Sequence, residues 1–216
     1  MQAGVRKIGY SSLNCGTRMI RIDLHVHTNA SVDSSINPKL LVDSLYSHPI
    51  IKGVAVTDHN TIEGCKQVQK LARAYNDLLI IPGVEVTTQQ GDLILLGVEE
   101  KPAAMLPLED VVDFAKQRAA LIVIPHPYRV SGIGDAAERI AADAVEIMNP
   151  WASPEQNRLA EQLAKARGLP GVAGSDAHKP DELWVAFTEV DSEPDVAAVL
   201  KAIRNGRVKT VSARHV

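Results

Sequence analysis

The 216-residue chain has little cysteine, few aromatic residues and no large excess of charge of either sign. Its two cysteines, Cys15 and Cys65, form no metal or redox motif, so neither a cysteine-built metal site nor a redox pair is available. Cys65 fits the apolar face of a helix and reads as a buried thiol, which points to a reducing cytoplasm. Aromatic residues make up 4% of the chain, and Trp151 and Trp184 stand too far from other aromatics to form a base-stacking platform. Both tryptophans read as packing residues. A formal net charge of −3 argues against a basic surface that clamps a nucleic-acid backbone. No apolar run approaches the ~18 residues of a membrane span. Residues 1–18 lack the apolar core of a signal peptide. There is no internal repeat, linker or low-complexity segment.

What is present is an ordinary globular composition, 45% hydrophobic and 23% charged, of a length that fits one domain. Residues 1–18 have poor periodicity and read as a loosely ordered extension, with a short extra strand across the bottom of the fold as the alternative. Residues 19–216 read as a single domain. Short apolar runs alternate there with helical stretches: 20–24, 53–57, 78–86, 93–98, 121–124, 144–148, 171–174, 186–190 and 208–211. Asn37-Pro38 is a strong helix start, with Leu40, Leu41, Leu45 and Tyr46 placed inward. Further helices are expected near Asn60-Thr61, through Leu108–Ala115, over Ala136–Ala142, from Pro154 to Gly168, and through Val196–Ile203. Several runs are apolar throughout, as parallel strands covered on both faces are. The expected fold is α/β, a distorted seven-stranded (β/α) barrel of TIM-like type.

In such a barrel the active site is built where strands finish. Strand one finishes at His25 and His27, which alternation along a strand puts on one side. Strand two finishes at Asp58-His59, strand three at Glu85, and strand four at Pro125-His126-Pro127. Strand five carries Glu146, and strand six ends in Ser175-Asp176-Ala177-His178. Five of the seven histidines stand at strand ends, and only His48 and His215 read as surface residues. Taken singly, each feature has a plain structural reading: a helix cap, a rigid turn, a loop. Jointly, buried imidazoles and carboxylates converging from six strands are costly unless cations pair with them.

Five stretches, Asp23-Leu-His-Val-His-Thr28, Thr57-Asp-His-Asn60, Gly83-Val-Glu-Val-Thr87, Pro125-His-Pro127 and Gly174-Ser-Asp-Ala-His178, resemble in kind and order the PHP (polymerase and histidinol phosphatase) superfamily. The resemblance implies a barrel that holds two or three divalent ions at its mouth. Carried over position by position, it implies that His25, His27, Glu85 and Asp176 hold a first ion. Glu85 bridges to a second ion that His126 also binds, and Asp33, His59 and His178 hold a third. Relatives carry a further histidine on the strand after the bridging glutamate. Here Gly91–Gly97 has none, leaving Asp92, with Glu99 behind it, as a stand-in, or a weak second site.

Eight ligands are too many for one ion and too few to saturate three, so open positions remain for water and substrate. Imidazole and carboxylate accept Zn, Mn and Fe alike. The implied chemistry is hydrolysis of a phosphate monoester by a hydroxide held between ions, the substrate being a nucleotide, a nucleic-acid end or a small phosphorylated metabolite. Arg129 is placed to grip phosphate, a surface arginine being the alternative. Asp58 reads as orienting His59 or accepting a proton, and Asp23 as supporting the first histidine pair. Glu146 and Asn149 read as substrate contacts at the mouth, or else as caps or turn residues. Two rival readings remain: an amidohydrolase-type C–N hydrolase, against which no lysine stands at a strand end, and a metal-binding or regulatory module without turnover.

Overall fold

The computed structural model describes residues 19–212, so the expectations for residues 1–18, Cys15 and His215 fall outside the described residues. Nine strands form one sheet in the order β7-β6-β5-β4-β3-β2-β1-β8-β9. They are β1 (Met19–Val26), β2 (Gly53–Val56), β3 (Leu79–Thr88), β4 (Gly91–Leu96), β5 (Leu121–Ile124), β6 (Ala144–Met148), β7 (Gly171–Ala173), β8 (Ala186–Asp191) and β9 (Val208–Ser212). Each matches an apolar run of the sequence. β1, β2 and β3 are mutually parallel, as are β5, β6 and β7. The hairpin strand β4 joins these two groups antiparallel, and β8 and β9 add antiparallel strands beyond β1. The sheet therefore has nine strands, because the hairpin and the last strand lie within it.

The two ends of the sheet approach each other to give a nearly closed barrel. Thr188 Oγ1 of β8 donates to the Ala173 carbonyl of β7 at 2.9 Å. The segment after β7 then runs along β1, where Asp176 N donates to His25 O at 2.8 Å and His27 N donates to Ala177 O at 3.0 Å. Gly174 makes this approach possible, since a Cβ there would lie against the His25 side chain and 2.7 Å from His25 N.

Ile22, Ala55, Ile81, Ile94, Val123 and Val172 fill the interior, with Val199, Leu200 and Ile203 of α5 (Val196–Arg204) packed against them. Outside, α1 (Pro38–Ser47) and α2 (Glu63–Ala72) pack on β1 and β2 through Leu41, Leu45, Cys65 and Val68. α3 (Leu108–Gln117) and α4 (Pro154–Arg167) cover the other side through Val111, Val112, Ala160 and Leu163. α1 starts at Pro38 with the Asn37 side chain accepting from Lys39 N at 2.8 Å. α4 opens with a reciprocal Ser153–Gln156 cap and stops at Gly168, φ +64°, a backbone conformation glycine adopts freely.

Four local expectations are corrected. Leu40 and Tyr46 are exposed, because the buried stripe of α1 runs through Pro38, Leu41, Val42 and Leu45. α2 begins at Glu63 and not near Asn60-Thr61: Asn60 takes φ +55°, and its side-chain Oδ1 accepts from Thr87 N at 2.9 Å, tying the loop to β3. The stretch 136–142 does not form the expected short helix; a five-residue 3-10 turn occupies Gly134–Glu138 instead. Trp151 is exposed, whereas Trp184 packs as expected, its indole N–H donating to Ser44 Oγ at 2.8 Å. Among the described residues no helix is long and apolar enough to cross a membrane.

Candidate metal centre

His25 and His27 reach the barrel interior through an irregularity in β1. Ile22 pairs with Gly53 and Asp23 with Val54, but Val26 pairs with Val56, so β1 carries one extra residue. Such a bulge changes which side chains face inward. Ile22 accordingly packs inside the barrel, while Val26, four residues on, packs outside under α1 and α2. The odd-numbered His25 and His27 then turn inward. Glu85 follows the regular alternation from Ile81, another interior residue. His126 and Asp176 stand just past their strands with φ of +25° and +51°, conformations L-residues rarely adopt and which cluster at functional sites.

Four atoms face one another at the centre. His25 Nε2 and His27 Nε2 lie 3.0 Å apart. Glu85 Oε2 is 3.2 Å from each of them, and Asp176 Oδ1 is 3.4 and 3.3 Å away. Donors bound tetrahedrally at ~2.0–2.2 Å to one cation stand roughly 3.3–3.6 Å apart. The two ring nitrogens facing at 3.0 Å, with a Glu85 and an Asp176 oxygen beside them, can all be served by a single cation. The residues present therefore fit a divalent ion. All four side chains are buried.

Two further groups adjoin this one. Glu85 Oε1 lies 3.2 Å from His126 Nε2, and Asp92 joins them in a second cluster. Of the two stand-ins for the missing histidine, Asp92 is the one within this cluster, and Glu99 is exposed after β4. His126 Nδ1 and Asp23 Oδ2 are buried side-chain atoms without a hydrogen-bond partner. Toward solvent, Asp33 Oδ2 lies 3.5 Å from both His59 Nε2 and His178 Nε2, and these two rings flank His27 with centroids 4.3 and 4.2 Å away. All eight residues named as ligands are brought together.

The remaining site residues take other places. Asp58 does not touch the His59 ring: its carboxylate accepts from Thr28 N (2.6 Å), Thr28 Oγ1 (2.8 Å) and Ser31 Oγ (2.9 Å), fastening the loop after β1. Asp23 supports the histidines through the backbone, accepting from Ser175 N at 2.8 Å and His25 N at 3.3 Å. Arg129 lies at the mouth, half-buried, with Nη1 donating to Asp176 Oδ2 at 2.6 Å. Glu146 and Asn149, read as substrate contacts, are buried beneath the cluster: Glu146 Oε1 lies 3.0 Å from His25 Nδ1, and Asn149 Nδ2 donates to Asp176 Oδ2 at 3.1 Å.

In the metal-free protein the cluster balances its own charge. Burial alone would lower the His25 and His27 pKa values, but the Asp176 and Glu85 carboxylates hold His25 well above its usual range and His27 at about 9. Burial likewise opposes the charge on Glu85 and Asp176, yet the facing histidines keep both well below the ordinary carboxylate range. Burial, aided by the Glu85 charge, raises Asp92 to about 6. Burial raises Asp23 to about 7 and the Cys65 thiol to about 12.

A barrel whose C-terminal mouth gathers histidines and carboxylates from six strand ends has the architecture of a metal-dependent hydrolase. The chain belongs to the PHP family: the PHP domain model matches residues 23–146, and a PHP-associated model matches residues 154–208. Two uncharacterised proteins of Methanocaldococcus jannaschii are similar. One is 30% identical over 61% of this chain and 83% of its own, the other 29% identical over 88% and 81%. Among solved structures, a two-domain protein from Bacteroides vulgatus containing a predicted PHP-like metal-dependent phosphoesterase matches with a TM-score of 0.77. It is 18% identical and covers 98% of this chain and 69% of that one. An amidohydrolase from Chromobacterium violaceum with bound sulfate matches with a TM-score of 0.66, at 17% identity over 87% and 97%.

Proposed function

We propose that this protein is a phosphoric ester hydrolase that releases phosphate from a monoester: a nucleotide, a nucleic-acid end or a small metabolite. The observation that carries the reading is the inner quartet, four buried donor atoms at mutual distances set for one cation, with further donors on two sides. His25, His27, Glu85 and Asp176 would hold a first divalent ion, Glu85, His126 and Asp92 a second, and Asp33, His59 and His178 a third. Zn, Mn and Fe all suit this donor set. When bound, such ions neutralise phosphate oxygens and lower the pKa of water toward ~7. The Arg129 guanidinium, held on Asp176 at the mouth, presents its charge beside the cluster to an arriving phosphate. Asp58 acts on the chemistry only by fixing the loop that carries Asp33. The similar Bacteroides protein, which contains a predicted PHP-like metal-dependent phosphoesterase, supports the same reading. Cys65, buried and free, suits a reducing cytoplasm.

The test is release of phosphate from p-nitrophenyl phosphate and from nucleotides by Mn²⁺- or Zn²⁺-loaded protein. His25→Ala and Glu85→Ala abolish turnover on this reading. A C–N hydrolase is the second reading, since the Chromobacterium amidohydrolase shares the fold. Turnover of cyclic amides but not of phosphoesters would favour it. Metal retention without turnover of either class would favour a regulatory module.

A further inference from the structure

Two of the buried ligands, His25 and Asp176, each have one atom aimed at the centre and another aimed away, toward Glu146 and Asn149. His25 turns Nε2 inward, and its Nδ1 lies 3.0 Å from Glu146 Oε1. Asp176 turns Oδ1 inward, while its Oδ2 accepts from Asn149 Nδ2 at 3.1 Å and from Arg129 Nη1 at 2.6 Å. The His126 backbone N–H, at the strained φ of +25°, donates to Glu146 Oε2 at 3.0 Å. Asn149 Nδ2 donates to that same Oε2, also at 3.0 Å. Glu146 and Asn149 are both buried, so these contacts are screened from water. One carboxylate and one amide thus touch three ligand-bearing residues drawn from three strand ends.

We propose that Glu146, steadied by Asn149, is the positioning residue of the metal centre. It keeps the His25 proton on Nδ1, leaving the Nε2 lone pair for a cation, and it holds the His126 backbone where the ring reaches Glu85. A histidine ligand is oriented in this way by a carboxylate on its far nitrogen, and loss of such a partner typically weakens metal binding ~10–100-fold. The site geometry makes glutamate specific here. All three of its partners are donors, so both oxygens must accept. A glutamine of the same shape must turn its NH₂ toward one of them. Facing His25, it drives the proton to Nε2 and blocks the cation; facing His126, it sets donor against donor.

This inference rests on the metal-centre reading, and one titration separates the two. Chelator-stripped wild type, Glu146→Gln and Asn149→Ala are titrated with Zn²⁺ in competition with a fluorescent chelator. Long-range ¹H–¹⁵N spectra of histidine-labelled, Zn²⁺-loaded protein are recorded in parallel. The expected result is wild-type binding, affinity about 10–100-fold weaker in Glu146→Gln, and a smaller loss in Asn149→Ala. The His25 imidazole, one of several expected with Nδ1 protonated and Nε2 coordinated, should show that pattern in wild type and lose it in Glu146→Gln, a change that a purely structural role would not produce. Equal affinity and an unchanged imidazole signature in a folded Glu146→Gln would overturn the proposal. Should Glu146→Gln fail to fold, Asn149→Ala decides: weaker Zn²⁺ binding supports the brace, and wild-type binding overturns it. Failure of wild type to bind Zn²⁺ would instead sink the metal-centre reading itself.

Discussion

The inner and outer halves of the mouth use the same residue types in opposite ways. His25, His27, Glu85 and Asp176 are buried, with donor atoms 3.0–3.4 Å apart. Asp33, by contrast, has a side chain 58% exposed, and its carboxylate stands 3.5 Å from His59 and His178, themselves partly open to solvent. The inner group is held by partners on its far side: Glu146 behind His25, and Asn149 with Arg129 behind Asp176. Among the described residues Asp33 has no comparable brace; it stands on the loop after β1, which Asp58 fastens through Thr28 and Ser31. Preorganisation therefore falls off from the barrel floor to the rim. The inner site should bind its cation tightly, and the outer one should exchange it near the substrate entrance.

The largest test of this contrast is Glu85→Ala, which removes the carboxylate touching both the inner and the second cluster. Cations stabilise the transition state by several kcal/mol, and each 1.36 kcal/mol is tenfold, so phosphate release should fall about 10³-fold or more. Near-unchanged phosphate release from folded Glu85→Ala would erase the distinction between inner and outer groups.

The next effect is pH dependence in the metal-free protein. Burial disfavours charge on His27, yet hydrogen bonds that it donates to Asp176 and Glu85 raise its pKa from the ordinary 6.5 to about 9. A raised histidine adds stability that is fully present below about 6.5 and disappears as pH rises through about 9. Cations compete with that proton, so the first Zn²⁺ should bind more tightly as pH rises over the same window, by up to roughly tenfold per unit per proton displaced. Calorimetry in buffers of different ionisation enthalpy should show proton release on binding at pH 7.

Asp33→Ala should act on the outer group alone. An exposed charge contributes about 1 kcal/mol or less, so the most weakly held cation should be lost at most about fivefold more readily, with the tightest unchanged. Equal weakening of both would show that the two halves act as one. The smallest effect is at Cys65, whose thiol burial raises to about 12. It should resist thiol reagents at pH 8 in the folded protein and react on unfolding.

Much of this was legible in the sequence. The apolar runs locate all nine strands, and histidines and acids at their ends locate the mouth. The bulge in β1 was not legible: alternation puts His25 and His27 on one side, but only the extra residue against β2 turns that side inward. For Glu146 and Asn149 the sequence leaves substrate contact and a cap or turn role open, because a strand-end position does not say which way a side chain points. Both are buried, and Asn149 Oδ1 accepts from Trp151 N in a turn. Adjacency suggests that Asp58 orients His59 or accepts a proton, whereas its carboxylate turns back to Thr28 and Ser31. Asn60 reads as a helix start by composition, and the hydrogen bond to Thr87 that claims it is long-range.

The most direct measurement is an anomalous difference map from a crystal soaked in Zn²⁺. The account predicts a peak ~2.0–2.2 Å from His25 Nε2, His27 Nε2, Glu85 Oε2 and Asp176 Oδ1. Zinc bound elsewhere, with those four atoms bridged by nothing but protons, would contradict it.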